Sequence, residues 1–154
     1  MTTFDVRTVR VEDLRDIEEI KQLRASYTRY GDTQQWSALA NLFTEDFEFI
    51  CDVMPRLSRD SPLSAHIKGR DTFIRDMNEL VDGLKTVHHV YSPEITILGP
   101  TTATGIWAMT DWVQMPEGLF RGWGHYHEKY EKIDGVWKIR ETRCTRIRTE
   151  ESWS

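Results

Sequence analysis

Two adjacent histidines, His88 and His89, are the natural candidates in this sequence for proton transfer near neutral pH. They lie in a run typical of a β-strand, where neighbouring side chains point to opposite faces, so only one of them can enter a pocket. Proton abstraction next to a carbonyl needs such a base, and an aspartate that accepts a hydrogen bond from the imidazole would fix its tautomer and raise its basicity. The pair therefore predicts one catalytic histidine with an aspartate beside it.

Two aspartates are candidates for that partner. Asp111 lies inside the apolar run from Ile106 to Val113, where an ionised carboxylate needs a partner of its own. Asp32 follows Gly31, a residue that commonly ends a helix, and could instead cap the next helix. At this level either carboxylate could orient the imidazole.

A second histidine cluster offers a different chemistry. In the segment His125-Tyr126-His127-Glu128, alternate positions place both imidazoles on one side of a strand, as in cupin-type metal sites. Cupins, however, are nearly all-β jelly rolls, whereas helices precede the strands here. We therefore expect no metal and treat His125 as a polar contribution to the pocket wall.

The elements that would position these residues begin with three helices. Apolar residues recur at three- and four-residue steps from Leu14 to Tyr30, and Gly31 is expected to end this first helix. A second, short helix spans 36–43. A third, with Asp71 as its predicted N-cap, runs to Leu84 and presents one apolar face.

From Thr86 onward the pattern changes to strands, predicted at 86–98, 101–114, 121–133 and 136–148. An earlier short strand carries Phe47 and Phe49, and Asp134-Gly135 is a strong hairpin signal. Residues 52–69 are expected to form a long loop. Helices followed by an antiparallel meander indicate one α+β domain over 1–154, with its core at about 15–148.

Large apolar side chains could line a pocket in such a domain. Trp107 and Met109 share one face of their strand, whereas Trp112 lies on the other. We expect Trp107 and Met109 to contact a hydrophobic ligand, although the same residues could pack the core or an oligomer interface. Phe120 and Trp123 carry the same two alternatives.

The composition of the chain limits the kinds of partner and compartment that can be expected. The net charge of −5, from 25 acidic and 20 basic residues, argues against a nucleic-acid surface. The opening segment has no apolar run resembling a signal peptide, and no segment approaches the ~20 apolar residues of a membrane span. Cys51 and Cys144 have no framework spacing and are expected to be free thiols in a reducing, cytoplasmic environment.

Three segments carry a family resemblance: YTRYGDTQQWSALANLFTEDFEF, VHHVYSPEITILGPTTATGIWAMTDW and GWGHYHEKYEKIDGVWKI. They resemble the SnoaL-like branch of the nuclear-transport-factor-2-like superfamily over roughly residues 15–148. The resemblance implies a cone-shaped α+β barrel, in which a curved antiparallel sheet and about three N-terminal helices surround a pocket. The superfamily hosts several reactions as well as non-catalytic subunits, so the fold alone does not specify a function.

Within the superfamily, the catalytic pattern resembles that of the scytalone dehydratase and bile acid 7α-dehydratase type. The resemblance implies that Tyr27, Asp32, His88 and Asp111 are catalytic and that Arg146 binds substrate. Tyr27 could equally be a core residue. Arg143 is the alternative to Arg146, because the two have opposite parity on a regular strand and only one can face inward.

These implications lead to a functional prediction. The chain is expected to be a cofactor-independent dehydratase acting on a hydrophobic cyclic hydroxy-carbonyl compound, steroid-like or polyketide-like. The first alternative is a polyketide cyclase or a ketosteroid-isomerase-like isomerase. The second is a non-catalytic ligand-binding or assembly subunit. Because the outer face of such a sheet usually needs covering, a homodimer or homotrimer is expected.

Overall fold

The computed structural model describes residues 9–154, so the first eight residues of the predicted domain lie outside it. A single 3₁₀ turn, Val11–Asp13, leads into three helices: α1 (Leu14–Asp32), α2 (Trp36–Ala40) and α3 (Arg70–Val81). The six strands are β1 (Phe43–Cys51), β2 (Ala65–Lys68), β3 (Thr86–Ile97), β4 (Thr102–Met115), β5 (Gly118–Ile133) and β6 (Val136–Trp153). The predicted α+β class and order of elements are confirmed.

The strands form one curved sheet in the order β2-β1-β6-β5-β4-β3, which does not close on itself. Strands β3 to β6 form the predicted antiparallel meander, and Asp134 and Gly135 both have positive φ in the turn between β5 and β6. The sheet is nevertheless mixed, because β1 pairs in parallel with β6. The prediction of an entirely antiparallel sheet is therefore wrong at this one junction.

The helices cover the concave side of the sheet. Helix α1 packs on β3 and β6, and α3 packs on β1. The main core lies between them and includes Ile20 and Leu23 from α1 and Phe43, Phe47 and Phe73 from β1 and α3. A cavity lies between the helices and the concave faces of β1 and of β3 to β6.

Three local predictions need correction. Residues 65–68, inside the predicted 52–69 loop, form β2 and pair antiparallel with β1. Asp71 does not cap α3, since Gly69 occupies the N-cap position with φ +93° and no side chain caps the helix. Helix α1 continues one residue past Gly31 and ends at Asp32. No helix among residues 9–154 is long and apolar enough to cross a membrane.

Candidate active site

One cavity contains most of the residues that the sequence singles out. It opens beside α1 and α3 and has an empty volume of about 710 Å³, which includes its open mouth. Its apolar wall includes Trp36, Leu39, Phe49, Phe73, Met77 and Val113. Its polar groups are Tyr27, His88, Asp111, Tyr126, Arg146 and the thiols of Cys51 and Cys144.

His88 enters this cavity from β3 and is held by Asp32. Residues 86 and 88 share the concave face of β3, whereas His89 is exposed on the other face. The Asp32 Oδ1 atom lies 2.6 Å from His88 Nδ1, and Oδ2 accepts a 2.8 Å hydrogen bond from the backbone N–H of His88. Thr86 donates a third hydrogen bond, 2.9 Å, to Oδ1. Asp32 therefore orients β3 and does not cap α2.

This contact assigns the proton on the imidazole. A carboxylate only accepts hydrogen bonds, so Nδ1 of His88 carries the proton and donates it to Asp32. The Nε2 atom is left with its lone pair on the cavity side, 3.9 Å from Asp111 Oδ2. The arrangement is a histidine–aspartate dyad whose free nitrogen can accept a proton from a ligand.

Asp111 has its own partner, Arg146. The two side chains form a bidentate ion pair, with Nη1–Oδ1 and Nη2–Oδ2 separations of 2.8 and 3.0 Å. Although burial opposes its charge, the hydrogen bonds and charge of Asp111 raise the pKa of Arg146 above its usual range. Since β3 pairs with β4 in the register His88 opposite Asp111, the pair and the dyad face the cavity side by side.

The structure distinguishes Arg146 from Arg143. Arg146 has the parity of the buried Thr142 and Cys144 and points inward, whereas Arg143 is exposed opposite His127. An irregularity in the β5–β6 register falls after Arg146, because Gly124 pairs with Arg146 and Trp123 pairs with Arg148. Strand parity alone therefore accounts for the inward arginine.

Gly122 is a site residue that the sequence reasoning missed. It lies on β5 between Asp111 on β4 and Thr149 on β6, and an added Cβ would collide with Arg146 Nη1 and Asp111 Oδ1. Only glycine lets the guanidinium reach across β5 to the carboxylate. Glycine inside a strand often marks such a close approach, so Gly122 and Gly124 in the β5 segment Gly-Trp-Gly were a usable signal.

Arg24 is a second missed residue, and it lies behind the cavity wall. Its guanidinium is sandwiched between the rings of Tyr27 and Tyr126, 4.0 and 4.2 Å from their centroids. Its side chain is 0% exposed, and its Nη1 is 3.3 Å from Oε1 of the equally buried Glu128. An arginine inside the apolar stripe of α1, between Leu23 and Tyr27, was the signal for a buried cation.

Tyr27 presents a neutral hydroxyl to the cavity. Burial raises the pKa of Tyr27 to about 12, against the opposing effect of the nearby Arg24 charge. Burial likewise raises the pKa of Tyr126 well above its usual value. Both phenols therefore remain hydrogen-bond donors throughout the neutral range. The ring of Tyr27 packs edge-on against Phe43 at 5.2 Å, which fixes the position of the hydroxyl.

Two of the expected ligand contacts, Trp107 and Met109, are corrected by the structure. Both side chains lie on the concave face as predicted, but neither lines the cavity. Trp107 is buried in the core, where its Nε1–H donates a 2.8 Å hydrogen bond to Tyr130. Met109 lies behind Arg146, with its sulfur 3.4 Å from Nη1. Strand parity predicts the face of a side chain but not its depth in the cone.

His125 does not line the cavity either. It lies on the outer face with His127, because the inward-facing residue between them is Tyr126. The two imidazole centroids are 6.3 Å apart, and Thr145 rather than a ligand-type side chain approaches His127. Within residues 9–154, no group of three or more His, Cys, Asp or Glu side chains is arranged to hold a metal ion.

The segment between β1 and β2 supplies the mouth of the cavity. Met54 and Pro55 belong to the cavity wall, and the Val53 carbonyl accepts a 3.1 Å hydrogen bond from Arg146 Nε. The segment is anchored farther out by Arg56, whose Nε and Nη2 bind Glu151 at 3.1 and 2.7 Å. These contacts give the segment a direct part in shaping the site.

Comparisons with known proteins agree on the fold. A family model of the SnoaL-like domain matches residues 12–143. Among solved structures, a hexachlorocyclohexane dehydrochlorinase, LinA-type3, from Novosphingobium barchaimii is similar with a TM-score of 0.75 and 16% identity over 92% of this chain and 93% of that chain. A candidate scytalone dehydratase from Novosphingobium aromaticivorans has a TM-score of 0.73 and 19% identity over 92% and 91% of the two chains.

A third similar structure is a protein of unknown function from Mycobacterium tuberculosis. It is 25% identical, with a TM-score of 0.73 over 89% of this chain and 75% of that chain. Matches over nearly the full length of the chain, with TM-scores above 0.7, identify the cone-shaped α+β fold. The reaction has to be argued from the residues in the cavity.

Proposed function

The chain belongs to the SnoaL-like domain family, and from that premise we propose that it is a cofactor-independent acid–base enzyme, a dehydratase of hydrophobic cyclic hydroxy-carbonyl compounds. The observation that carries this proposal is the 2.6 Å contact between Asp32 and Nδ1 of His88, which leaves Nε2 free inside the cavity. The apolar wall suits a ring system, and His88, Asp111 and Arg146 lie next to one another in the lining.

In the proposed reaction, His88 Nε2 removes the proton on the carbon next to the carbonyl. The electrons of that C–H bond form the new C=C bond as the C–O bond to the β-hydroxyl breaks. The imidazolium then returns the proton to the departing hydroxide, so that water leaves and the neutral imidazole is restored. Asp32 stabilises the transient imidazolium and keeps its ring in place.

The remaining polar groups would stabilise charge on the substrate. The Tyr27 hydroxyl is a neutral donor and would bind the carbonyl oxygen as it gains enolate character. Arg146 uses its nitrogens on Asp111, Val53 and Met109. Its part would therefore be to hold Asp111 beside the imidazole and to contribute positive charge, with little capacity for direct hydrogen bonds to substrate.

The same groups could serve an isomerase or a cyclase, since both reactions also begin with proton removal next to a carbonyl. An isomerase would return the proton to another carbon instead of releasing water. A non-catalytic binding subunit would have no use for the dyad. The convergence of the dyad and the ion pair on one apolar cavity favours an enzyme.

The test is a panel of cyclic β-hydroxy ketones, followed by the ultraviolet absorbance of the conjugated enone. A chlorinated cyclohexane completes the panel, because one similar structure is a dehydrochlorinase. We expect turnover by the native protein and a loss of about 10²–10⁴-fold in kcat for His88→Gln. His89→Gln is the matched control, because this neighbouring imidazole is exposed on the opposite face.

Two results would contradict the dehydratase proposal and indicate a different function. Deuterium uptake next to the carbonyl without enone formation would indicate an isomerase. Tight binding of the ketones with neither exchange nor turnover, unaffected by His88→Gln, would indicate a binding subunit.

We further propose that the protein is a homodimer or homotrimer of a reducing, cytoplasmic compartment. Exposed apolar side chains on the convex face of the sheet support association, among them Val87, Tyr91 and Ile147. The free thiols of Cys51 and Cys144 suit a reducing environment.

A further inference from the structure

Two thiols face each other in the cavity wall and have no part in the reaction proposed above. Cys51 ends β1 and is directly paired with Cys144 in the parallel β1–β6 ladder, so both side chains point to the same face. Each residue is 2% exposed, and each lines the cavity. A small ligand that enters the cavity can therefore meet the sulfur atoms, whereas a reagent in bulk solvent cannot.

Cys51 has the more polar surroundings of the two. Its thiol donates a 3.3 Å hydrogen bond to the carbonyl oxygen of Val53, and the same oxygen accepts the 3.1 Å hydrogen bond from Arg146 Nε. The sulfur and the guanidinium thus converge on one atom, which brings the cation close to the thiol. A cation beside a cysteine favours the thiolate, which is the nucleophilic form.

The two thiols also affect each other in opposite directions. A hydrogen bond from Cys144, helped by the charge of Arg146, lowers the pKa of Cys51 below its usual value. The same hydrogen bond, together with burial, raises the pKa of Cys144. The surroundings thus make Cys51 the more acidic thiol of the pair.

We propose that Cys51 is a second reactive group of this cavity, a nucleophile that forms a thioether with α,β-unsaturated carbonyl ligands. Such carbonyls are soft electrophiles that thiolates attack at the β-carbon. The apolar wall and the confined volume restrict the reaction to small, hydrophobic members of the class.

The bond changes balance without an oxidant or a cofactor. A sulfur lone pair of Cys51 forms the C–S bond at the β-carbon, and the electrons of the C=C bond move to form the enolate. The enolate then takes one proton at the α-carbon from water. The product is a saturated ketone attached to Cys51, and loss of the α-proton reverses the reaction.

The expectation that Cys51 meets such a carbonyl as the product of this protein's own reaction rests on the proposed function. Dehydration of a β-hydroxy ketone yields an α,β-unsaturated ketone inside this same cavity, so the product of the proposed reaction belongs to the class that Cys51 attacks. Reversible capture of the product would then slow turnover as the product accumulates. The reactivity of Cys51 itself does not depend on that dehydration.

The experiment exposes the native protein to 2-cyclohexen-1-one and locates adducts by intact mass and peptide mapping. We expect one adduct, on Cys51, with at least about tenfold preference over Cys144, because only Cys51 shares the Val53 oxygen with the Arg146 cation. A polymer-linked maleimide too large for the cavity should label neither cysteine until the protein is unfolded. The absence of an adduct, or equal labelling of both thiols, would overturn the proposal.

Variants of the two cysteines and of His88 show which residue reacts with the carbonyl compound. Cys144→Ala should leave the adduct on Cys51, whereas Cys51→Ser should abolish fast labelling. If Cys51→Ser is labelled as fast as the native protein, the reactive thiol is Cys144 and the proposal fails. His88→Gln separates this proposal from the dehydratase, since it should stop turnover yet leave the mass adduct on Cys51.

Discussion

At the scale of single residues, the dyad is unusual in that one carboxylate holds both a side chain and its backbone. Asp32 accepts a hydrogen bond from the ring of His88 and another from the amide of the same residue. The angle of the imidazole is therefore tied to the position of β3, with Thr86 steadying the carboxylate. Preorganisation of this kind would spare the proposed base any reorientation when a substrate binds.

This geometry predicts the tautomer of His88. We expect ¹⁵N NMR of the native protein to show a protonated Nδ1 and an unprotonated Nε2. Asp32→Asn should mix the tautomers and lower kcat by about 10²–10⁴-fold, because the amide no longer selects the Nδ1–H form. Asp71→Asn, at an exposed position on α3, is the control. A native His88 protonated on Nε2 would contradict the assignment.

A second residue-scale prediction concerns alkaline pH. The folded pKa of Tyr27 is about 12 against an ordinary value of 10.0, so the unfolded chain releases this proton first. Its contribution to the free energy of unfolding is complete below about pH 10 and is lost as the pH rises to about 12. Between these pH values, the Tyr27→Phe variant should therefore lose up to about 3 kcal/mol less free energy of unfolding than the native protein.

Denaturant unfolding at about pH 9 and about pH 12 measures this difference. Tyr91→Phe, at an exposed position on β3, should leave the alkaline loss unchanged. An identical loss in the Tyr27→Phe variant would show that the phenol is not shielded in solution.

At the scale of elements, β5 acts as a bridge between its two neighbours. Gly122 leaves the space through which Arg146 of β6 reaches Asp111 of β4. Gly122→Ala should displace the ion pair, destabilise the fold by about 1–3 kcal/mol and weaken ligand binding. Gly99→Ala is the control, because its added methyl would meet only Thr102 Oγ1 at an ordinary 3.7 Å. Equal melting temperatures for the two variants would count against the bridge.

Helix α1 is attached to the sheet through a buried charge. Arg24→Met would leave Glu128 buried without its cation, which should cost about 3–5 kcal/mol of unfolding free energy. The double variant Arg24→Met/Glu128→Gln should recover much of that loss. Arg29→Met, an exposed position on the same helix, should cost less than about 1 kcal/mol. Denaturant unfolding compares the three, and an equal loss in the single and double variants would exclude the ion pair as the cause.

Sequence reasoning predicted the features that depend on neighbouring residues and missed those that depend on contacts between distant residues. Local periodicity predicted the helices and the meander. Parity showed that only one of His88 and His89, and only one of Arg143 and Arg146, can face inward, and the family resemblance favoured His88 and Arg146, which line the cavity. The parallel pairing of β1 with β6 joins residues about ninety positions apart, so no local pattern reports it. Parity also places Trp107 on the correct face without showing that it lies too deep to reach the cavity.

At the scale of the whole molecule, the convex face of the sheet exposes several large apolar side chains to solvent. Val87, Tyr91 and Ile106 are exposed on β3 and β4, and Ile147 on β6 is 75% exposed. Exposed apolar side chains on one face of a sheet favour association, and a second copy of the chain supplies a matching face by symmetry.

Sedimentation or light scattering should therefore report a dimer or a trimer at micromolar concentration. Ile147→Lys should shift the mass toward that of a monomer, since it places a charge in the apolar surface. Ile133→Lys, at the β5–β6 hairpin, is the matched control and should leave the mass unchanged. A monomeric mass for the native protein would refute the association.

The unclosed sheet has one more consequence, which concerns solubility. β3 is an edge strand, and its outward amides would be open to pairing with a strand of another molecule. Asp32 occupies the amide of His88, and Pro93 has no amide to offer beside a break in the register between Tyr91 and Glu94. The carboxylate that orients the proposed base thus also prevents another strand from pairing with this edge. Asp32→Ala should therefore make the protein precipitate more readily, in addition to inactivating it.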